Sequence, residues 1–211
     1  MRQRLPNLNA VRAFDAAARH QSFSRAAEEL ELRSYPEPPR TIAPDTDLAL
    51  TWGRLDVPGY SREPFLDFTI FPVCTPERAE HVRTHGLIAN KLIYDRGVNT
   101  WDELLRRQGS SLSAASGHLI FHRTQLCLEA AARGLGVALG DDVTAAAMLR
   151  DGRLVRPCGP SVPGRNSYYL SSVSRGPVSP SVIAMRTWLL EKAEEHVRWA
   201  EEAGYALPKS P

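Results

Sequence analysis

The residues able to do chemistry at neutral pH are few, and most lack the partners that chemistry needs. His81 and His85 stand at i and i+4, the spacing that puts two imidazoles on one helix face. A zinc helix of that kind carries a glutamate directly after the first histidine and a third ligand elsewhere; here Val82 follows His81 and no third ligand is spaced for it. The simpler reading is a solvated helix face, and the same holds for His118 and His122, which flank a strand-like run. Cys74, Cys127 and Cys158 lie far apart with no C-x-x-C pair, which suits reduced thiols packed in a core. Gly134-x-Gly136 is followed by Gly140 and comes after a helical stretch, so its spacing and context are not those of a dinucleotide loop. No G-x-S-x-G elbow or other nucleophile signature occurs. We therefore expect no enzyme activity, no cofactor and no metal. One other cluster has a chemical use: Ser22, Ser24 and Arg25 at a helix start can reach a DNA phosphate through hydroxyls, backbone N–H groups and a guanidinium. The serines serve equally well as plain helix caps.

The elements that position these residues follow from apolar spacing. Leu8, Val11, Phe14 and Ala18, then Phe23, Ala26, Ala27 and Leu30, predict two helices within residues 1–33, with Ser22 as the second N-cap. Glu31 to Tyr35 alternates like a short strand, and Pro36, Pro38 and Pro39 stop any helix from continuing. From Asp47 onward short apolar runs alternate with helical stretches. Strands are predicted at 47–52, 68–74, 92–94, 119–121, 137–139, 154–155 and 168–173. Helices are predicted from Pro76 to Val82, from a Thr100–Glu103 capping box, from a Thr124 cap to a left-handed Gly134, from an Asp141 or Asp142 cap to Leu149, and from Ser179-Pro180 onward. This alternation predicts an α/β fold with mainly parallel pairing.

Composition sets the outer bounds. The 211 residues are 43% hydrophobic and 24% charged, with a net charge of +2. Those proportions are globular, and a charge of +2 exerts little overall pull on nucleic acid, so any DNA site must be local. Mean hydropathy is −0.31 and no apolar run approaches the roughly 18 to 20 residues of a membrane span. The basic start, Met1-Arg-Gln-Arg, leads into no apolar leader segment. With the unpaired cysteines this gives a cytoplasmic expectation with no membrane partner. Basic residues number 26, of which only Lys91, Lys192 and Lys209 are lysine, a bias of composition more than of function.

Two stretches resemble one family. Leu8 to Leu30, above all Ser22-Phe-Ser-Arg-Ala-Ala-Glu-Glu-Leu30, is similar to the opening of the winged helix-turn-helix of LysR-type transcriptional regulators. The rest resembles the effector-binding domain of that family, in particular its glycine-cleavage-activator subgroup. The matching segments are Asp47 to Gly53, Val57-Pro-Gly59, Leu66 to Pro76, Thr100 to Leu104, Ala130 to Gly140, Gly152 to Pro157, Tyr168 to Leu170 and Ser179 to Leu190. The pattern breaks after Leu30. A helix-turn-helix reads bases with its second motif helix, yet here the chain reaches Tyr35-Pro36 within five residues. We read an internal deletion, joined near Glu28 to Leu32, that removes the recognition helix, the wing, the linker helix and the start of the effector domain.

The resemblance implies an α/β, two-lobed, periplasmic-binding-protein-like effector domain, incomplete, preceded by an all-α helix-turn-helix remnant. Its expected boundaries are a partial winged helix-turn-helix at 1–31, one effector lobe from 32–72 with 173–203, and a second lobe at 73–172. It implies transcription regulation through a small anionic or polar effector, a carboxylate included, with DNA and a second copy of the chain as partners. Carried over residue by residue, the effector-lining candidates are Trp52, Thr75, His122, Arg123, Thr124 and Asp141, where Arg123 and the amides capped by Thr124 would meet a carboxylate. Each is also explained as an ordinary cap or surface group. The backbone-contact candidates for DNA remain Ser22, Ser24 and Arg25, with sequence-specific reading in doubt because its helix is missing. The rival reading is a stand-alone small-molecule-binding module of the same fold without DNA binding.

Overall fold

The computed structural model describes residues 41–206, apart from 44, 98, 99, 160, 175–177, 179 and the side chain of 181. Ser22, Ser24 and Arg25, the two predicted N-terminal helices and the Glu28–Leu32 join lie outside the described residues.

In chain order the elements are β1 (Leu48–Trp52), β2 (Tyr60–Leu66), β3 (Thr69–Val73), α1 (Pro76–His85), β4 (Lys91–Asp95), α2 (Trp101–Arg106), β5 (Gly117–Phe121), α3 (Thr124–Ala132), β6 (Val137–Asp141), α4 (Ala146–Arg150), β7 (Val162–Pro163), β8 (Tyr168–Val173) and α5 (Pro180–Glu202). They divide into two units. One holds the described residues up to Leu66 with Asn166–Glu195, the other Asp67–Arg165 with those from His196 on.

The first unit is built on an antiparallel sheet of order β1-β8-β2, with Leu50 opposite Leu170 and Arg62 opposite Ser171. Strand β2 is not predicted by its sequence, Tyr-Ser-Arg-Glu-Pro-Phe-Leu, because a proline inside a polar run argues against a strand. It forms as an edge strand, where Pro64 need not donate to a further neighbour and the register shifts beside it. Glu63 of this strand is paired with Arg186 of α5 at 2.6 Å.

The second unit is an α/β/α sandwich around a sheet of order β5-β4-β6-β3-β7. Side-chain alternation assigns its two cores. Phe71, Val73, Ile93 and Ala138 point to the face covered by α3 and α4, with Cys127, Leu128, Met148 and Leu149. Cys74, Leu92 and Val137 point to the face covered by α1 and α2, with Val82, Trp101, Leu104 and Leu105. Because these strands are buried on both faces, they read in sequence as unbroken apolar runs.

Pairing is less parallel than the alternation of elements predicts. Among the described residues only β4 with β5 and β4 with β6 are parallel; β3 runs antiparallel to β6 and to β7, and β8 runs antiparallel to β1 and to β2. Parallel neighbours need a crossover within one sheet, whereas β3 and β8 each enter their sheet from the other unit. The predicted capping box at Thr100 is also absent. Thr100 has helical backbone angles (φ −102°, ψ −8°), and its buried hydroxyl has no hydrogen-bond partner. The start of α2 is set by Trp101 instead, fully buried and donating its indole N–H to the Ile93 carbonyl at 3.0 Å.

Two glycines after α3 do different work. Gly134 (φ +76°) stops the helix in the left-handed region as predicted, with the Leu135 amide donating to the Ala130 carbonyl at 3.1 Å. At Gly136 the constraint is space: a Cβ there would lie 2.2 Å from the Lys91 carbonyl oxygen. This bare backbone lets β6 pair with β4. Gly136→Ala is expected to lower stability by more than about 2 kcal/mol, as forced overpacking does, and Gly134→Ala by about 1 kcal/mol, the cost of a left-handed Cβ with open space around it. Urea unfolding of the two variants checks the order, and an equal or reversed cost would contradict the packing of β6 on β4.

Candidate functional site at one edge of the larger sheet

Register places the chemistry-bearing loops of the second unit at one edge. The parallel strands β4, β5 and β6 end there at Asp95, Phe121 and Asp141, and antiparallel β3 begins there at Thr69. In α/β sheets this carboxyl edge is where ligands bind, because strand ends open onto helix N-termini. His122, Arg123, Thr124 and Asp141 are all brought to it. Thr75 is not: it follows β3, whose end is opposite Ala138, so it stands at the other edge. There it is the N-cap residue of α1 without a side-chain capping bond. Trp52 ends β1 in the first unit, opposite Tyr168 and 39% exposed.

Three carboxylates stitch this edge together. Asp95 accepts from the Gly97 amide at 2.9 Å and from the Thr124 hydroxyl at 3.1 Å, tying the loop after β4 to the start of α3. Thr124 is thus the first helical residue and not the cap that its sequence suggests. The cap position belongs to Arg123 in extended conformation (φ −151°, ψ 132°), and the Thr124 hydroxyl is taken by Asp95. Asp141, predicted as a possible cap, accepts from the amides of Val143 (2.9 Å) and Thr144 (2.6 Å) and from the Thr144 hydroxyl (2.5 Å). It closes the turn that leads into α4. Asp142 accepts from the Thr69 amide at 2.6 Å and lies 3.3 Å from Nε2 of His196.

Asp95, Thr69 and His196 carry no local sequence signal, and Asp142 carries only that of a possible helix cap. Their bonds join residues up to 73 positions apart, and only an aspartate at each strand end hints at them.

Electrostatics follows burial. Burial pushes the Asp141 carboxyl above the ordinary value of 3.8, against the lowering effect of the Thr144 hydrogen bonds, with the neighbouring Asp142 charge adding to the rise. Burial likewise pushes the Cys74 thiol up to about 11 and that of Cys127 to about 12. Both stay protonated at neutral pH and are packing groups, not nucleophiles. Over the edge, the arrangement offers what an anion needs. Arg123 is exposed, and among the described residues nothing accepts from the Thr124 and Gln125 amides of α3. Among the described residues no group of three or more His, Cys, Asp or Glu is placed to hold a metal, and no helix is long and apolar enough to cross a membrane.

A two-unit α/β protein with its loops gathered at strand ends is the architecture of a periplasmic-binding-protein-like ligand domain. Residues 17–194 match the LysR substrate binding domain, and the chain belongs to that family. The glycine cleavage system transcriptional activator of Escherichia coli K12 is 30% identical over 156 residues, covering 72% of this chain and 51% of the relative. The HTH-type transcriptional activator AmpR of Citrobacter koseri is 26% identical over 166 residues, covering 78% of this chain and 57% of the relative. Among solved structures, the effector domain of AmpR from Pseudomonas aeruginosa shares the fold with a TM-score of 0.58 at 25% identity, covering 74% of this chain and 76% of that one. The chain spans about half the length of the curated relatives it matches. Both relatives are transcriptional activators.

The raised pKa of Asp141 has a definite sign. The native carboxyl keeps its proton at pH values where the unfolded chain has lost it, so this contribution to stability is present below about pH 4 and is lost as pH rises through the raised native value. Asp141→Asn keeps an oxygen acceptor for the two amides and removes the titration. Its urea midpoint should lose that pH-dependent decline; an unchanged pH profile would show that Asp141 is not the group responsible.

Proposed function

We propose that this chain is the sensing part of a LysR-type transcriptional regulator and binds a small anionic effector, a carboxylate for example, at the carboxyl edge of its larger sheet. The observation that carries the reading is the convergence at that edge of Arg123, the amides at the start of α3, which meet no acceptor among the described residues, and turns fixed by Asp95 and Asp141. A carboxylate there would take a forked bond from the guanidinium and accept from the amides, each charge-assisted. His122 and Thr124 flank the same position, and Asp141 closes the turn after β6 at the same edge. Trp52 and Thr75 enter the proposal through the resemblance alone. DNA, a second copy of the chain and a cytoplasmic setting come from the family in the same way.

The helix-turn-helix resemblance ends at Leu30, so operator reading is outside the proposed activity. One phosphate-contacting helix start at Ser22, Ser24 and Arg25 gives little affinity at physiological salt. Calorimetric titration with a panel of small carboxylates is expected to find one that binds, with Arg123→Ala weakening it at least about fivefold, the loss of roughly one charge-assisted hydrogen bond. Undiminished binding by Arg123→Ala would rule out this edge. A gel shift at physiological salt should show no sequence preference; a reproducible shift on one palindromic site, abolished by scrambling it, would restore DNA reading and contradict the deletion.

A further inference from the structure

A second concentration of charge lies in the same unit, away from the residues assigned above. A surface cavity of about 460 Å³ is lined by Glu103, Arg106, Arg107 and Arg165. The Arg107 guanidinium is held by Glu103 one helical turn back at 3.0 Å. Among the described residues, the side chains of Arg106, at the end of α2, and Arg165, in the loop before β8, make no hydrogen bond or ion pair. Three guanidiniums against one carboxylate leave two positive charges unmatched around one concavity. Like charges so gathered repel one another and gain most from a compact anion placed among them. We propose that these four residues form a binding site for a small molecule bearing a diphosphate group.

The chemistry selects that class. A monocarboxylate matches one guanidinium and leaves the other unpaired, whereas a diphosphate presents several oxygens in the forked geometry that arginine favours and carries at least two charges. A nucleic-acid backbone spreads its charges along a strand and suits an extended surface more than a hollow of this size. Glu103 accepts from one guanidinium nitrogen of Arg107, Nη2, so that side chain is held without using all of its donors.

Titration of the whole chain with sodium pyrophosphate, followed by calorimetry at low ionic strength, tests the assignment. We expect saturable one-to-one binding, with inorganic phosphate weaker by about tenfold. Arg106→Ala and Arg165→Ala should each weaken pyrophosphate by at least about fivefold, equivalent to about 1 kcal/mol, with thermal melting unchanged because both side chains are exposed. Arg165→Lys should recover part of the affinity by restoring charge without the fork. Arg153→Ala, which removes an exposed arginine of the same unit next to Glu129, should change nothing. Non-saturable binding, equal loss in Arg153→Ala, or binding of a short DNA duplex with none of pyrophosphate would each overturn the proposal.

Discussion

Two adjacent carboxylates at the end of one strand govern how the larger unit is built. Asp141 and Asp142 are 8% and 4% exposed, and among the described residues neither meets an arginine or lysine. A carboxylate taken out of water must find donors or take up a proton. Here the donors are mostly backbone amides, supplied by Val143 and Thr144 for one carboxylate and by Thr69 for the other, with a threonine hydroxyl and a histidine nitrogen completing the set. Amides can converge in this way only if three pieces of chain hold fixed conformations: the turn after β6, the first residue of β3 and the end of α5 that carries His196. The burial of the pair is thus what makes the carboxyl edge a frame.

That frame bears directly on the proposed effector site. A loop that binds a ligand must usually be ordered on binding, at an entropic cost. Here the loops after β4 and β6 are already tied, one by Asp95 to Thr124 and the other by Asp141 to its own turn. The first turn of α3 is consequently held, with no acceptor for its Thr124 and Gln125 amides among the described residues. This is the pre-organisation expected of a sensing domain in a family of transcriptional regulators. The arginine-lined hollow at the end of α2 has no comparable frame; its one fixed member is Arg107, held by Glu103.

Much of this was legible in residue order, for reasons that differ by element. Strands β3, β4 and β6 are buried on both faces, so their apolar runs stand out in the sequence. Gly134 marks the end of α3 because a left-handed stop favours glycine. Strand β2 was illegible because its edge position tolerates Pro64, Arg62 and Glu63, residues that argue against a strand anywhere else. Thr100 holds the N-cap position without the side-chain capping bond, and Thr124 lies one residue inside its helix, because a capping motif registers only residue type. In the fold one hydroxyl is buried beside an anchored tryptophan and the other is claimed by Asp95, 29 residues earlier. The site divides the same way. Arg123 and Asp141 could be named from a resemblance, while Asp142, Thr69 and His196 meet only through tertiary structure.

A carboxylate pair that frames the edge must keep the amides facing Asp141 and Asp142 locked in the native state. Hydrogen–deuterium exchange of the Thr69, Val143 and Thr144 amides, followed residue by residue, measures this directly. If the carboxylate pair fixes the edge, these three amides exchange with the slowest class, alongside the core of β6, although two of them belong to a turn. Exchange at the rate of an exposed loop would show that the pair does not hold the edge, and the frame on which the proposed effector site depends would be absent.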